Sequence, residues 1–408
     1  MRQGLGTLDE AILMLRFPTN ALASTLEDFV TEMRSVPDET IRMPLKLELG
    51  GGLGGAVHAA QVLGTWSRLG AEPKHLGLSR FFADSEDSRD RFVSTLPGMA
   101  AVYFAQSLDC EGTAFSRLEA LGSFAKRVEA MQMENFTETL RGVGAGLVCF
   151  GGARNEFLKP LYGQPEQGGV RDEGGFRKLV PRLLGSLSGG VLESLDEGQL
   201  DYLSALVYQL FLNADEHGSD DVFGARYRRS IRGVSVRTTA LQGITGLIQE
   251  LDDDFALKAF LVKRAGVAHP DHSPEGRAAA KLAKPGLTQF VEISIFDTGP
   301  GLGLRWLAKE IGAKTYADFS VDRELRAVKT CFDKYATTKA SNTFGQGLTS
   351  AVMALEKLEA FMMLRTGRVS LYQDFSVNRG RKFAPRPRFL KALPEVAGAT
   401  FTICFRVS

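Results

Sequence analysis

The sequence has few cysteines and gathers none of them: Cys110, Cys149, Cys331 and Cys404 are its four. They lie far apart and form no CxxC pair, which speaks against a disulfide framework and against a thiolate metal centre. Buried small hydrophobes are the expectation for all four. The sequence also lacks an excess charge of one sign, since 49 Lys and Arg stand against 48 Asp and Glu. No global field then drives the surface onto nucleic acid or an anionic membrane, and only a local basic patch is left open. No run of about 18 apolar residues is present, so no membrane span is expected. Met1 to Glu10 lacks the basic start and apolar stretch of a secretory signal, which makes the cytoplasm the expected address.

What is there is a chain of 408 residues, 44% hydrophobic and 24% charged, enough for about two domains with cores of their own. Ala11 to Phe17 is a short apolar run, Ala21 to Met33 has helical spacing, and Met43 to Leu49 alternates with period two. Gly50 to Gly55, five glycines around Leu53, then opens an expected helix from Ala56 to Leu69. Such a turn can cradle phosphate, but a P-loop needs Lys followed by Ser or Thr, and here Ala56-Val57-His58 follows. A tight turn allowing close strand-helix packing is the favoured reading. With a strand at His75 to Ser79, the strand-helix order of this region is similar to STAS-type signalling domains.

Three motifs carry chemistry in the second half. The first ends a helix expected from about Leu200, with an apolar stripe of Leu203, Leu206, Val207, Leu210 and Ala214. Gln209, Asn213, Glu216 and His217 recur on a neighbouring face at spacings of three and four. A side-chain amide on a rigid helix offers a neutral oxygen to Mg²⁺, which takes its other ligands from water and phosphate. The second is the alternating strand Phe290 to Phe296 delivering Asp297 to Thr298-Gly299-Pro300-Gly301. The third is Thr337-Thr338-Lys339, then Phe344-Gly345-Gln346-Gly347-Leu348, running into an apolar helix from Ser350 to Phe361. Glycines at a helix start expose N–H groups to an anion.

In this order the motifs resemble the N, G1 and G2 boxes of the GHKL superfamily, which includes DNA gyrase B, the cytosolic heat-shock chaperone, sensor histidine kinases and MutL. The Asn-Ala-x-x-His-Gly run looks most like the anti-sigma-factor serine kinases and some histidine kinases. The resemblance implies ATP and Mg²⁺ as cofactors. It gives Asn213 the metal and Asp297 the adenine amino group, with Gly299 and Gly301 letting the backbone approach the base. Thr338, Lys339, Gly345, Gln346, Gly347 and Leu348 would surround the phosphates, and His217 would approach them or cap the last carbonyls of its helix. A closing strand, Gly398 to Phe405, resembles the Gly-Thr-x-Phe segment that holds adenine, but Ala399 follows the glycine and Thr400 is the substitute.

The fold expected is α/β: a C-terminal Bergerat-type sandwich with a mixed sheet covered by helices, and a smaller N-terminal α/β domain. The division is 1–110 for the small domain, 111–190 for a mostly helical connector and 191–408 for the ATP-binding domain. That last domain would carry an insertion near 241–288, one helix plus a basic loop, and an ATP lid near 304–343.

Of the five histidines, His58, His75, His217, His269 and His272, His58 is followed by Ala59-Ala60 and His269 by Pro270, so neither sits in the context of a histidine-kinase phosphoacceptor, and an autophosphorylating histidine kinase is not expected. Gln209 occupies the position where the hydrolysing relatives keep a glutamate as general base, and an amide cannot take that proton. Glu216, one turn after Asn213, is the alternative base, balanced against a solvated helix-end acid. The expected function is an ATP-operated conformational switch with slow or no hydrolysis, sensed by a protein partner, a homodimer or the N-terminal half. A serine/threonine protein kinase and a nucleic-acid-linked ATPase are the alternatives.

Overall fold

The computed structural model describes residues 14–48, 53–141, 144–163, 169–240, 248, 251, 254–265, 289–332, 347–377 and 383–407. Their architecture is α/β. In the first sheet β1 (Met14–Arg16), β2 (Thr40–Arg42), β3 (His75–Leu78) and β4 (Ser107–Cys110) run parallel in chain order, and β5 (Ala114–Phe115) returns antiparallel on β4. Helices α1 (Ala23–Ser35), α2 (Gly55–Trp66), α3 (Arg80–Asp84), α4 (Glu86–Val93) and α5 (Leu96–Phe104) connect them. The strand expected at Met43 to Leu49 is displaced to Thr40–Arg42, and Met43 to Glu48 is irregular. Pro44 is the physical reason, because it has no N–H to give a ladder.

Helices α6 (Arg117–Ser123) and α7 (Ala125–Gln132) lead to β6 (Gly144–Phe150), the first strand of the second sheet. It is joined by β7 (Ile231–Ala240), β8 (Gln289–Asp297), β9 (Phe361–Gly367), β10 (Val369–Asp374), β11 (Arg386–Pro387) and β12 (Val396–Val407). Their spatial order is β11-β10-β9-β12-β8-β7-β6, and every neighbouring pair is antiparallel. The parallel pairing expected of a mixed sheet is therefore found in the first sheet instead. The stretch expected as a mostly helical connector supplies an edge strand of the second.

One face of this second sheet, with Val234, Ile293, Ile295, Leu364, Phe401 and Ile403, packs under α10 (Glu197–Gly218), which packs in turn on α9 (Glu173–Gly185) and α14 (Gly347–Lys357). The other face is covered by α2 and by α11 (Phe255–Ala265), the helix expected in the insertion. All twelve residues of α2 are buried, as an all-round apolar helix requires. Phe260 of α11 packs on Phe290 and Phe361. A single apolar cluster runs from Leu15 to Val407 and includes residues of both sheets, which therefore share one core. Cys110 and Cys149 are buried in it and Cys404 in the cluster beneath α11, all as free thiols, and Cys331 is half-buried.

Of the glycine-rich turn, Gly50 to Gly52 lie outside the described residues. Gly54 has a left-handed backbone (φ 83°), and its amide, at the head of α2, donates to the Glu292 carboxyl on β8 at 2.7 Å.

Candidate functional site

Helix α10 begins three residues earlier than expected, because Asp196 and Gln199 close a capping box: Asp196 Oδ1 accepts from the Gln199 amide (2.7 Å) and Gln199 Oε1 from the Asp196 amide (2.9 Å). Leu203, Leu206, Val207, Leu210 and Ala214 are buried, while Gln209, Asn213, Glu216 and His217 share a half-buried face. The last turn is pinned to the sheet by Arg232 on β7, only 2% exposed. Its Nε donates to Asp215 Oδ1 (2.8 Å) and to the Tyr162 hydroxyl (2.9 Å), and its Nη1 to Glu156 (3.1 Å) and Ser219 (3.2 Å). Tyr162 donates in turn to Asp215.

Strand β8 ends at Asp297, 9% exposed, whose Oδ1 accepts from the Gly299 amide at 2.7 Å. The turn that follows is held at every residue. Thr298 Oγ1 accepts from the Ile231 amide (2.9 Å), the Gly299 carbonyl accepts from Gly398 N (2.7 Å), and the Pro300 carbonyl accepts from the Tyr316 hydroxyl (2.7 Å). Gly299 lies against the end of α10: a Cβ there would overlap the His217 carbonyl and come within 3.0 Å of the Gly218 Cα. Gly301 has a left-handed backbone (φ 84°) and faces the Tyr316 hydroxyl and Thr366. The observed close approaches that demand glycine at 299 and 301 are thus to protein atoms. Burial pushes the Asp297 carboxyl up to about 7, against the amides of Gly299 and Ala399 and the charges of Arg68 and Arg232.

The structure brings the first and second motifs together and separates Thr400 from them. Ala399 is the residue opposite Asp297, and Thr400 pairs with Phe296 and Arg365. Directly opposed residues share a face and successive residues alternate, so Thr400 lies on the far side of the sheet from the Asp297 carboxylate. Its assignment as an adenine contact is corrected on that ground. The threonine on the Asp297 face is Thr366, and its Oγ1 already donates to the Gly398 carbonyl (2.9 Å) and accepts from the Leu302 amide (3.0 Å).

Thr338, Lys339, Gly345 and Gln346 lie outside the described residues, while Gly347 and Leu348 are the first two residues of α14, which packs on α10. That helix ends at Lys357, short of Phe361, which belongs to β9. Much of the lid expected near 304–343 is a packed pair of helices, α12 (Leu302–Ile311) and α13 (Val321–Thr330). They share the small core of Leu304, Leu307, Tyr316 and Phe319, and the buried Glu324 takes the amide and Nε of Arg368, each at 2.8 Å. The remainder of that range, 333–343, is outside the described residues.

Arg68, Arg232 and Tyr227 were not legible as site residues, since no motif links them to boxes up to 231 positions away. Among the described residues, no group of three or more His, Cys, Asp or Glu is placed to hold a metal ion, and no helix is long and apolar enough to cross a membrane. A Mg²⁺ held through Asn213 would thus take its remaining ligands from phosphate and water, which suits that ion. Comparison with family models, curated proteins and solved structures finds no match for this chain.

Proposed function

We propose that the protein binds ATP with Mg²⁺ between α10 and the turn after β8, and works as a nucleotide-operated switch with slow or no hydrolysis. The observation that carries this reading is the packing of Gly299 against His217 and Gly218, which joins two motifs about eighty positions apart at one place. A buried carboxylate at the end of a strand suits an exocyclic amino group, and Asp297 has that setting. Asn213 would hold the ion, which when bound neutralises phosphate charge. Gln209 sits one turn before it on the same half-buried face and has no basic oxygen for activating water.

The shared core supports a switch that acts by local reordering rather than by swinging domains, because α2 runs from the first sheet directly onto the second. The test is calorimetric titration with ATP, ADP, AMP and GTP, with and without Mg²⁺, followed by incubation with γ-labelled ATP. Selective, Mg²⁺-enhanced binding of ATP with neither rapid phosphate release nor labelled protein is the expected result. Equal binding of ATP and GTP removes the role of Asp297, and label on the protein replaces the switch by a protein kinase.

A further inference from the structure

Arg68 lies two residues beyond α2, in the N-terminal half, yet its guanidinium ends on the turn after β8. Its Nη1 donates to the Gly299 carbonyl at 3.0 Å, and its plane lies 3.6 Å from the centre of the Tyr227 ring. The approach is prepared by Gly64, where a Cβ would sit only 2.6 Å from Thr298 Cγ2. Gly299 is therefore gripped on both sides, its amide by Asp297 and its carbonyl by Arg68 and Gly398.

Nε and Nη2 of Arg68 are buried without a hydrogen-bond partner among the described residues. A guanidinium so placed is costly to desolvate, and one carbonyl is poor compensation. The carboxylate whose charge acts on it is that of Asp297. We infer that Arg68 is a positioning residue of the nucleotide site, holding the Gly299 carbonyl and the Asp297 carboxylate in the geometry that receives the base. It thereby ties occupancy of the site to the N-terminal half. This rests on the nucleotide reading above.

The groups facing Asp297 are Arg68 from the end of α2, Arg232 from β7, His217 and Gly218 from the end of α10, and the amides of Gly299 and Ala399. Tyr227 stacks on Arg68, and Tyr103 and Tyr316 are, with Asp297, the other titratable side chains whose charge acts on it. Burial raises the Asp297 carboxyl, while Arg68 and Arg232 lower it. Removing Arg68 leaves burial less opposed, so the carboxylate that accepts the base forms only at higher pH.

The experiment is calorimetric titration of the full chain with Mg-ATP, ADP and AMP across about pH 5 to 9, for wild type, Arg68→Met and Tyr227→Leu. Wild-type affinity is expected to rise with pH through about 7. Arg68→Met should weaken all three nucleotides by the same factor, roughly tenfold near neutral pH, and move the midpoint of the pH dependence upward. Tyr227→Leu, which removes only the ring beneath the guanidinium, should give a smaller shift of the same sign and carries the test if Arg68→Met does not fold. A loss confined to ATP and ADP would put Arg68 on the phosphates and overturn the inference. So would an affinity loss with an unmoved midpoint, or no change at all. A wild type that binds none of the three sinks the nucleotide reading itself, which keeps the two failures distinct.

Discussion

Gly218, the last residue of α10, lies against Asp297, the last residue of β8, so closely that a Cβ at 218 would fall 2.7 Å from the Asp297 Cβ. The helix that presents Asn213 and the strand that presents the carboxylate thus meet at this contact. Gly218→Ala must push one end away, at about 1–3 kcal/mol for overpacking. The expected outcome is a moderate fall in thermal stability with a clear loss of ATP affinity. Stability that falls while affinity stays would show that this contact does not define the site.

Asn213→Ala is the direct test of the metal role. The side chain is half-buried on a helix whose stability comes from its other face, so the change should cost little, within about 1 kcal/mol. Mg²⁺-dependent enhancement of ATP binding should disappear. An unchanged Mg²⁺ effect in the titration removes Asn213 from the site.

Strands β8 and β12 of the second sheet were legible because they announce themselves locally. Val291, Ile293 and Ile295 alternate and stop at a glycine turn, and β8 runs where that pattern says. Strand β6 within the connector was missed because, buried along most of its length, it shows no alternation to separate it from a helix. Thr400 was assigned by likeness to a motif, and a register of one residue decides which face a strand residue occupies. Arg68 and Arg232 were invisible for a different reason: their roles come from layers meeting across long stretches of chain.

Asp297→Asn separates recognition from stability. The folded carboxyl sits at about 7, where an unfolded one would sit near 3.9, so the native state holds the extra proton between those values. Stability then falls as pH rises from about 4 to about 7 and levels off above. The asparagine variant does not titrate, and can still accept from the Gly299 amide. Its stability relative to wild type should increase with pH through that window, by up to a few kcal/mol, while ATP binding is lost. Denaturant unfolding at both ends of the window measures this, and a pH-independent difference would mean that Asp297 ionises normally.

Arg365 on β9 and Glu27 on α1 form a buried bidentate pair, Nε to Oε1 at 2.6 Å and Nη2 to Oε2 at 2.9 Å, with His58 on Glu27 at 3.3 Å. Burial works against the Glu27 carboxylate, but the Arg365 charge and the neighbouring His58 hold it well below the usual range. Arg365→Met leaves that carboxylate buried and unpaired, at about 3–5 kcal/mol. Adding Glu27→Leu should recover much of the loss. Because the pair bolts the first sheet's helix to the second sheet, unfolding followed by fluorescence and by circular dichroism should remain one coincident transition in wild type. Two separated transitions would contradict the shared core.

Gln209 is where the chain departs from the motif it resembles in a way that bears on turnover. It is half-buried, one helical turn before Asn213, on the face that Asn213, Glu216 and His217 share. Gln209→Glu restores a carboxylate with nearly the same volume and no new packing demand. Positioned general bases contribute about 10² to 10⁴ in rate, so the variant is expected to hydrolyse ATP at least about tenfold faster than wild type in a phosphate-release assay. Glu216→Gln is the companion, because Glu216 is the other carboxylate on that face. Unchanged turnover in Gln209→Glu together with its abolition in Glu216→Gln would place the base at 216 and turn the slow switch into an ATPase or kinase.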